Sequence, residues 1–224
     1  AKDNQYPDLK EVWHVGREKL VNEKFRPMFP ENVWPTEVKE FRETMLALYN
    51  ALDTTAGIVM DALGLGLDLP QDYFRTMLQD GNSILRPIHY PPIDPRAPKN
   101  AVRSAAHEDI NLITVMVGGT TSGLELLDRD GKWMPVHNNE KQLVVDSGDM
   151  LQVLTNGIIP ATTHRVVNPT DFNSTRYSMP FFVHPNPDTM LTCVPSCRGT
   201  GEKYAPINSH QWLMQRLAEI GLKK

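Results

Sequence analysis

Little in this chain marks it for a membrane, a nucleic acid or an oxidising compartment. No uninterrupted apolar run approaches the ~18 residues that a bilayer span needs. Positive charge is not in excess: 23 Lys and Arg face 27 Asp and Glu, for a formal net charge of −4. That balance disfavours nucleic acid or an anionic membrane as a partner, since both want a basic field. Cysteine is scarce, with only Cys193 and Cys197. One close pair cannot make a disulfide framework, and no second Cys or His pair stands at zinc-site spacing. Both are expected to be reduced thiols, in a cytoplasmic protein. The opening AKDNQYPDLKEVWH has no basic stretch followed by an apolar core, so a signal peptide is not expected. The first residue is not methionine, which leaves room for a processed or trimmed start. What remains is ordinary globular usage: 224 residues, 40% hydrophobic and 22% charged. Disorder, collagen and coiled coil are excluded, and one domain is expected over 1–224.

Within that domain the text changes character. Residues 1–82 read as helical support. Between Thr36 and Leu63, the residues Phe41, Met45, Leu48, Leu52, Val59 and Leu63 recur at helical spacing, with an N-cap expected near Thr36 and an end at Gly64 and Gly66. A second short helix is expected over Gln71–Leu78. The proline-rich Pro91–Lys99 suits neither helix nor central strand and reads as a surface connector. Residues 83–193 read as the core. Short apolar runs at Ile84–Tyr90, Asp109–Val117, Leu124–Asp128, Trp133–Val136, Gln142–Asp146, Leu151–Thr155, Thr162–Val167, Arg176–Val183 and Met190–Cys193 alternate with turn text such as DRDG and DSGD. Strands spaced this evenly point to a mainly β fold with flanking helices, a jelly-roll or sandwich rather than a parallel α/β sheet. Residues 194–224 carry a last helix, Ser209–Leu222.

Seven histidines and fifteen aspartates are present, so a His-x-Asp triplet is expected by chance about 0.5 times and is weak alone. Context strengthens His107-Glu108-Asp109. If both open the strand Asp109–Val117, residues i and i+2 point to one side and reach one metal ion. His164 lies inside a second strand-like run, where a buried imidazole needs partners for both nitrogens; a metal and an acceptor behind the ring supply them. Two His and one carboxylate form the facial set of non-heme Fe(II) oxygenases. Arg176 and Ser178 then share a strand face with Pro180 and Phe182. A guanidinium projecting into an apolar barrel is costly unless an anion meets it, and its planar fork suits a carboxylate.

On these residues the chain resembles the iron- and 2-oxoglutarate-dependent dioxygenases of the isopenicillin N synthase-like group. The text that carries the resemblance is HEDINLITV, GLELLDRDGKWMPV, LVVDSGDMLQVLTNG, THRVVNPT and RYSMPFFVHPNPD, strongest between Ser83 and Asp188. The resemblance implies a double-stranded β-helix (a cupin-like jelly-roll) and ferrous iron on His107, Asp109 and His164. It implies that Arg176 and Ser178 hold the distal carboxylate of 2-oxoglutarate, with Tyr90 hydrogen-bonding the same cosubstrate. Ile88 stands where plant members commonly have Asn. The implied reaction uses O2 to oxidise a small organic substrate by hydroxylation, desaturation or ring closure, and releases succinate and CO2. The retained Asp109 argues against halogenation, whose enzymes replace it with a small residue. Family members usually carry a further segment before the text seen here. Phe182, beside the clamp, and Asn111, beside the ligand pair, are candidate substrate contacts, as is the C-terminal helix.

Other readings stand beside this one. An isopenicillin N synthase-like oxidase would use the same iron motif without 2-oxoglutarate, although the tail GLKK does not match that enzyme's terminal glutamine. A non-catalytic barrel would bind metal or a small molecule only. In a plainer reading, Arg176 pairs with Asp171 or Glu108 as a structural bridge. His137, His184 and His210 read as solvated loop or helix-start residues, His184 as part of a turn. Trp13-His14 reads as a cover for the barrel mouth or as plain packing.

Overall fold

The computed structural model describes residues 6–137, 139 and 141–222; both ends of the expected domain, 1–5 and 223–224, lie outside the described residues. Two short strands, β1 (Glu11–Val12) and β2 (Val15–Gly16), precede the long helix α1 (Phe41–Gly66) and the single turn α2 (Arg75–Leu78). The strands β3 (Ile84–Leu85), β4 (Ile88–Tyr90), β5 (Ser104–His107), β6 (Ile113–Val117), β7 (Leu124–Leu127), β8 (Trp133–Pro135) and β9 (Leu143–Ser147) follow. Helix α3 (Asp149–Leu154), strands β10 (His164–Val166), β11 (Arg176–Val183), β12 (Met190–Leu191) and β13 (Ile207–Asn208), and helix α4 (Ser209–Glu219) complete the order.

Eleven of the strands form two antiparallel sheets that face each other, the expected jelly-roll, and β12 pairs β13 in a separate two-stranded ladder. The larger runs β1-β4-β11-β3-β2, with β6 pairing β11 and β9 pairing β6; the smaller runs β5-β10-β7-β8. The long strand β11 organises the first. Arg176, Ser178, Pro180 and Phe182 line the space between the sheets, while Phe181 turns the other way and meets Tyr49 of α1 edge-on, with ring centroids 4.9 Å apart. The strand's two-residue period decides which side chains face the site and which anchor the supporting helix. On α1, Met45, Tyr49, Leu52, Ala56 and Met60 are buried, and each large apolar side chain so covered contributes about 1.5–3 kcal/mol.

Several expectations need correction. Residues 1–82 are not helical support alone, because β1 and β2 extend the larger sheet at β4 and β3. Helix α1 begins at Phe41, later than Thr36, and runs through Gly64 and Gly66 to a cap at Leu67. Gly64 lies against Pro70 and Phe74, and the helix continues through it despite a glycine penalty of about 1 kcal/mol. The second helix shortens to one turn. The apolar run Leu151–Thr155 belongs to α3, not to a strand: Met150, Leu151, Val153 and Leu154 are all buried, and a short run buried on every side has no period that separates strand from helix. The run Ile84–Tyr90 is interrupted at Arg86-Pro87.

His184 is not a solvated turn residue either. It is 8% exposed at the end of β11, and its Nδ1 is buried with no hydrogen-bond partner. Burial holds its pKa at about 4, with the Arg86 charge adding to the depression and Asp109 opposing it. The unfolded chain therefore binds a proton that the folded one excludes, and stability contributed by neutral His184 is complete above pH 6.5 and drains away toward pH 4. Urea unfolding is expected to show about 2 kcal/mol less stability at pH 5.0 than at pH 7.5 from this residue alone. In His184→Gln that difference should shrink; an unchanged slope would mean that other groups carry it.

Candidate metal centre and anion clamp

The expected ligand residues converge, but not by the route that alternation suggests. His107 ends β5 in the smaller sheet, and residues 108–112 then cross to the larger sheet, where Leu112 donates its N–H to Val183 O (3.0 Å). Asp109 therefore sits in the crossing and not in a strand. Its carbonyl accepts the Asp149 N–H (2.9 Å), and Asn111 O accepts that of Met150 (3.0 Å), so the crossing is pinned to the start of α3. Gly148 is required there, because a Cβ on it would lie 2.1 Å from Asn111 Oδ1. His164 opens β10 and stands opposite His107 in the ladder, with ring centroids 4.3 Å apart.

Asp109 Oδ1 lies 3.8 Å from His107 Nε2 and 3.9 Å from His164 Nε2. One donor atom from each of the three side chains lies within 4.8 Å of the others. A centre shared by such a triangle is about 2.2–2.5 Å from each corner, close to the roughly 2.0–2.2 Å of imidazole and carboxylate bonds to a divalent transition ion. Both rings are already oriented. His107 Nδ1 donates to Ala105 O (2.7 Å) and His164 Nδ1 to Thr162 O (3.1 Å), which leaves each Nε2 with its lone pair facing the centre. Burial first, then the neighbouring His164, holds the pKa of His107 well below its ordinary value, so the ring is a neutral ligand and not a cation.

Two residues that the sequence reading passed over complete this end. Thr114 donates its hydroxyl to Asp109 Oδ2 and accepts from Asn111 Nδ2 (2.8 Å), fixing the carboxylate so that Oδ1 faces the imidazoles. Asn111, a candidate substrate contact, is fully buried and does not line the cavity; its part is to hold Thr114. Asp146, opposite Thr114 in the ladder, lies 3.9 Å from His164 Nδ1. Burial, then the Asp109 charge, pushes its pKa up to about 7. Strand alternation through β6 and β9 was the available signal for both.

The other end of the same cleft holds Arg176. It is 2% exposed, its Nε donates to Thr121 O (3.2 Å), and its guanidinium lies 5.1 Å from the centre of the Tyr90 ring. Neither Asp171 nor Glu108 pairs with it: among the described residues no carboxylate forms an ion pair with Arg176. Its Nη1 is buried without a partner. Arg176 and Ser178 both lie beside the Tyr90 hydroxyl, and burial pushes that hydroxyl above its ordinary pKa, which keeps it a proton donor. A buried guanidinium with an idle donor, flanked by two hydroxyls, is what a carboxylate completes. The donor set at each end therefore fits the group implied for it: a divalent iron on N, N and O, and a diacid reaching from it to Arg176. Ile88, Met116, Leu124 and Val166 line the walls between, and Phe182 stands on the larger-sheet side.

The comparisons agree with this geometry. Residues 81–185 match the model of the 2OG-Fe(II) oxygenase superfamily. A 2-oxoglutarate-Fe(II) type oxidoreductase, hxnY of Emericella nidulans, is 33% identical over 212 residues, which are 90% of this chain and 60% of that protein. The chain spans 55–60% of the length of this and the next curated relatives. Among solved structures, a Caulobacter crescentus protein assigned to the 2OG-Fe(II) oxygenase family is 44% identical, with a TM-score of 0.88 over 98% of this chain and 72% of that one. A full-length Neurospora crassa protein in complex with alpha-KG is 30% identical, with a TM-score of 0.85 over 95% of this chain and 67% of that one; it has also been solved with alpha-KG and thymine. No helix among the described residues is long and apolar enough to cross a membrane.

Proposed function

Because the chain belongs to the 2OG-Fe(II) oxygenase family, we propose that it oxidises a small organic molecule with Fe(II), O2 and 2-oxoglutarate, releasing succinate and CO2. One observation carries the reading: three metal-type donors and an arginine that no carboxylate among the described residues pairs with occupy opposite ends of one cleft. His107 Nε2, His164 Nε2 and Asp109 Oδ1 hold the iron. Arg176, Ser178 and Tyr90 take the far carboxylate of the cosubstrate. When bound, iron and cosubstrate together supply an oxidant derived from O2 that can take hydrogen from carbon.

The chain's own part is positional. Thr114 keeps one oxygen of Asp109 occupied, and the two backbone carbonyls hold the imidazole tautomers, so the ligand set is preorganised. With iron on His107, Asp109 and His164, the cleft they line would remain free for cosubstrate and substrate. The apolar walls keep water from the reacting centre.

Protein reconstituted with Fe(II) should form succinate from 2-oxoglutarate in step with O2 consumption, slowly even without its substrate, and only when iron and cosubstrate are both present. Oxygen uptake indifferent to added 2-oxoglutarate would favour the isopenicillin N synthase-like oxidase instead. Iron binding with no turnover of the cosubstrate would leave a binding barrel.

A further inference from the structure

The cleft contains a second guanidinium that the scheme above does not use. Arg86 lies in the break between β3 and β4, its N–H donating to Pro180 O (2.9 Å), and it lines the same cleft as the metal-type donors. Its side chain is held from two directions. Nε donates to His14 Nε2 (2.7 Å), and Cζ stands 4.5 Å over the centre of the Phe182 ring. The turn between β1 and β2 brings His14 onto Arg86, while its neighbour Trp13 packs edge-on against Phe41 (5.8 Å). Among the described residues, no carboxylate forms an ion pair with Arg86 and no protein group accepts from its two terminal nitrogens. The other cation on this wall, Lys10, is already paired with Asp8 (2.9 Å) and donates to Ser104 Oγ (2.9 Å). Arg86 is thus an oriented fork beside the metal centre with no ion pair of its own, and the Asp109 charge only partly offsets its burial.

An arginine stays charged even when burial lowers its pKa, and a charge removed from water without a partner is costly. The cost is relieved when an anion arrives, and a planar fork with both terminal nitrogens idle selects a carboxylate over a single point acceptor. We propose that the molecule oxidised here is a small organic acid, and that its carboxylate docks on the terminal nitrogens of Arg86, with His14 and Phe182 as positioning residues. This rests on the function proposed above, and it assigns the substrate class and the residue that selects it. The acid is distinct from the cosubstrate, whose carboxylate goes to Arg176. Phe182 then serves as the platform that holds the guanidinium flat, and its facing side is not free to stack a ligand ring.

The test is calorimetric titration under anaerobic conditions, with Fe(II) and saturating 2-oxoglutarate present so that Arg176 is occupied. The probes are butanoate, hexanoate, octanoate, benzoate and phenylacetate, each against its neutral primary amide. At least one acid should bind the wild-type chain at least about 30-fold tighter than its amide, the loss expected when one partner of a desolvated charge pair is removed. In Arg86→Gln that preference should disappear while 2-oxoglutarate affinity stays the same. His14→Ala should keep part of it, because the charge remains and only its orientation is lost. The proposal is overturned if every acid binds no better than its amide, or if the preference survives in Arg86→Gln. It is also overturned if Arg86→Gln weakens 2-oxoglutarate, which would make Arg86 part of the cosubstrate clamp. A wild-type chain that binds no 2-oxoglutarate, yet prefers acids through Arg86, would sink the oxygenase reading and leave this pocket standing.

Discussion

His164→Ala is expected to abolish stoichiometric binding of ferrous iron and to reduce succinate formation by at least about 10²-fold, since mutating even an outer-shell partner of a metal typically costs 10–100-fold. His164 supplies one of three donors that share a centre, and its Nε2 is 3.9 Å from Asp109 Oδ1. With it gone, the remaining imidazole and carboxylate offer no facial set. Thr114→Val calibrates the loss. It preserves shape but removes the hydroxyl that donates to Asp109 and accepts from Asn111. Iron affinity should fall about 10–100-fold with binding retained. Equilibrium dialysis against Fe(II), with succinate measured in parallel, separates the two variants. Full iron occupancy and turnover in His164→Ala would rule out this metal centre.

Arg176→Gln should raise the KM for 2-oxoglutarate by roughly 30-fold to several thousand-fold, the range for losing one partner of a desolvated hydrogen-bonded charge pair. The value of kcat at saturating cosubstrate should fall less, because the metal donors are untouched. Arg176→Lys should lie between, as it keeps charge without the fork. Gly119 gives an independent check. A Cβ there would stand 2.3 Å from Arg176 Nη2, so Gly119→Ala must push the guanidinium aside. A rise in the same KM of roughly 10-fold or more follows if the clamp needs its present position. A KM unchanged in both Arg176→Gln and Gly119→Ala would return Arg176 to a structural role.

Much of the site was legible because its elements obey short-range rules. The alternation of β11 put Arg176, Ser178, Pro180 and Phe182 on one face before any coordinates, and the ladder keeps them there. That His164 needs an acceptor on its second nitrogen was likewise a local inference, met by Thr162 O, although the residue opens β10 and does not lie within it. The same rule misled at His107 and Asp109. They share a site because the chain crosses between sheets at 108–112, pinned by Val183 and by the start of α3, and no two-residue period reports a crossing. The buried run of α3 failed for a related reason: with apolar residues on all sides, strand and helix look alike.

By itself the sequence determined the class of fold, the set of metal-type donors, and the presence of an arginine that needs an anion. Each of these follows from residue type and from periods of two or three to four residues, which side-chain direction enforces locally. Tertiary structure alone decided that Asn111 supports Asp109 through Thr114 rather than facing a substrate, and that Asp146 stands beside His164. It alone brought His14 from the N-terminal turn onto Arg86. The first of these turns on how the chain crosses at 108–112, and the other two join residues on different elements, 72 positions apart for Arg86 and His14, so no local period reports them.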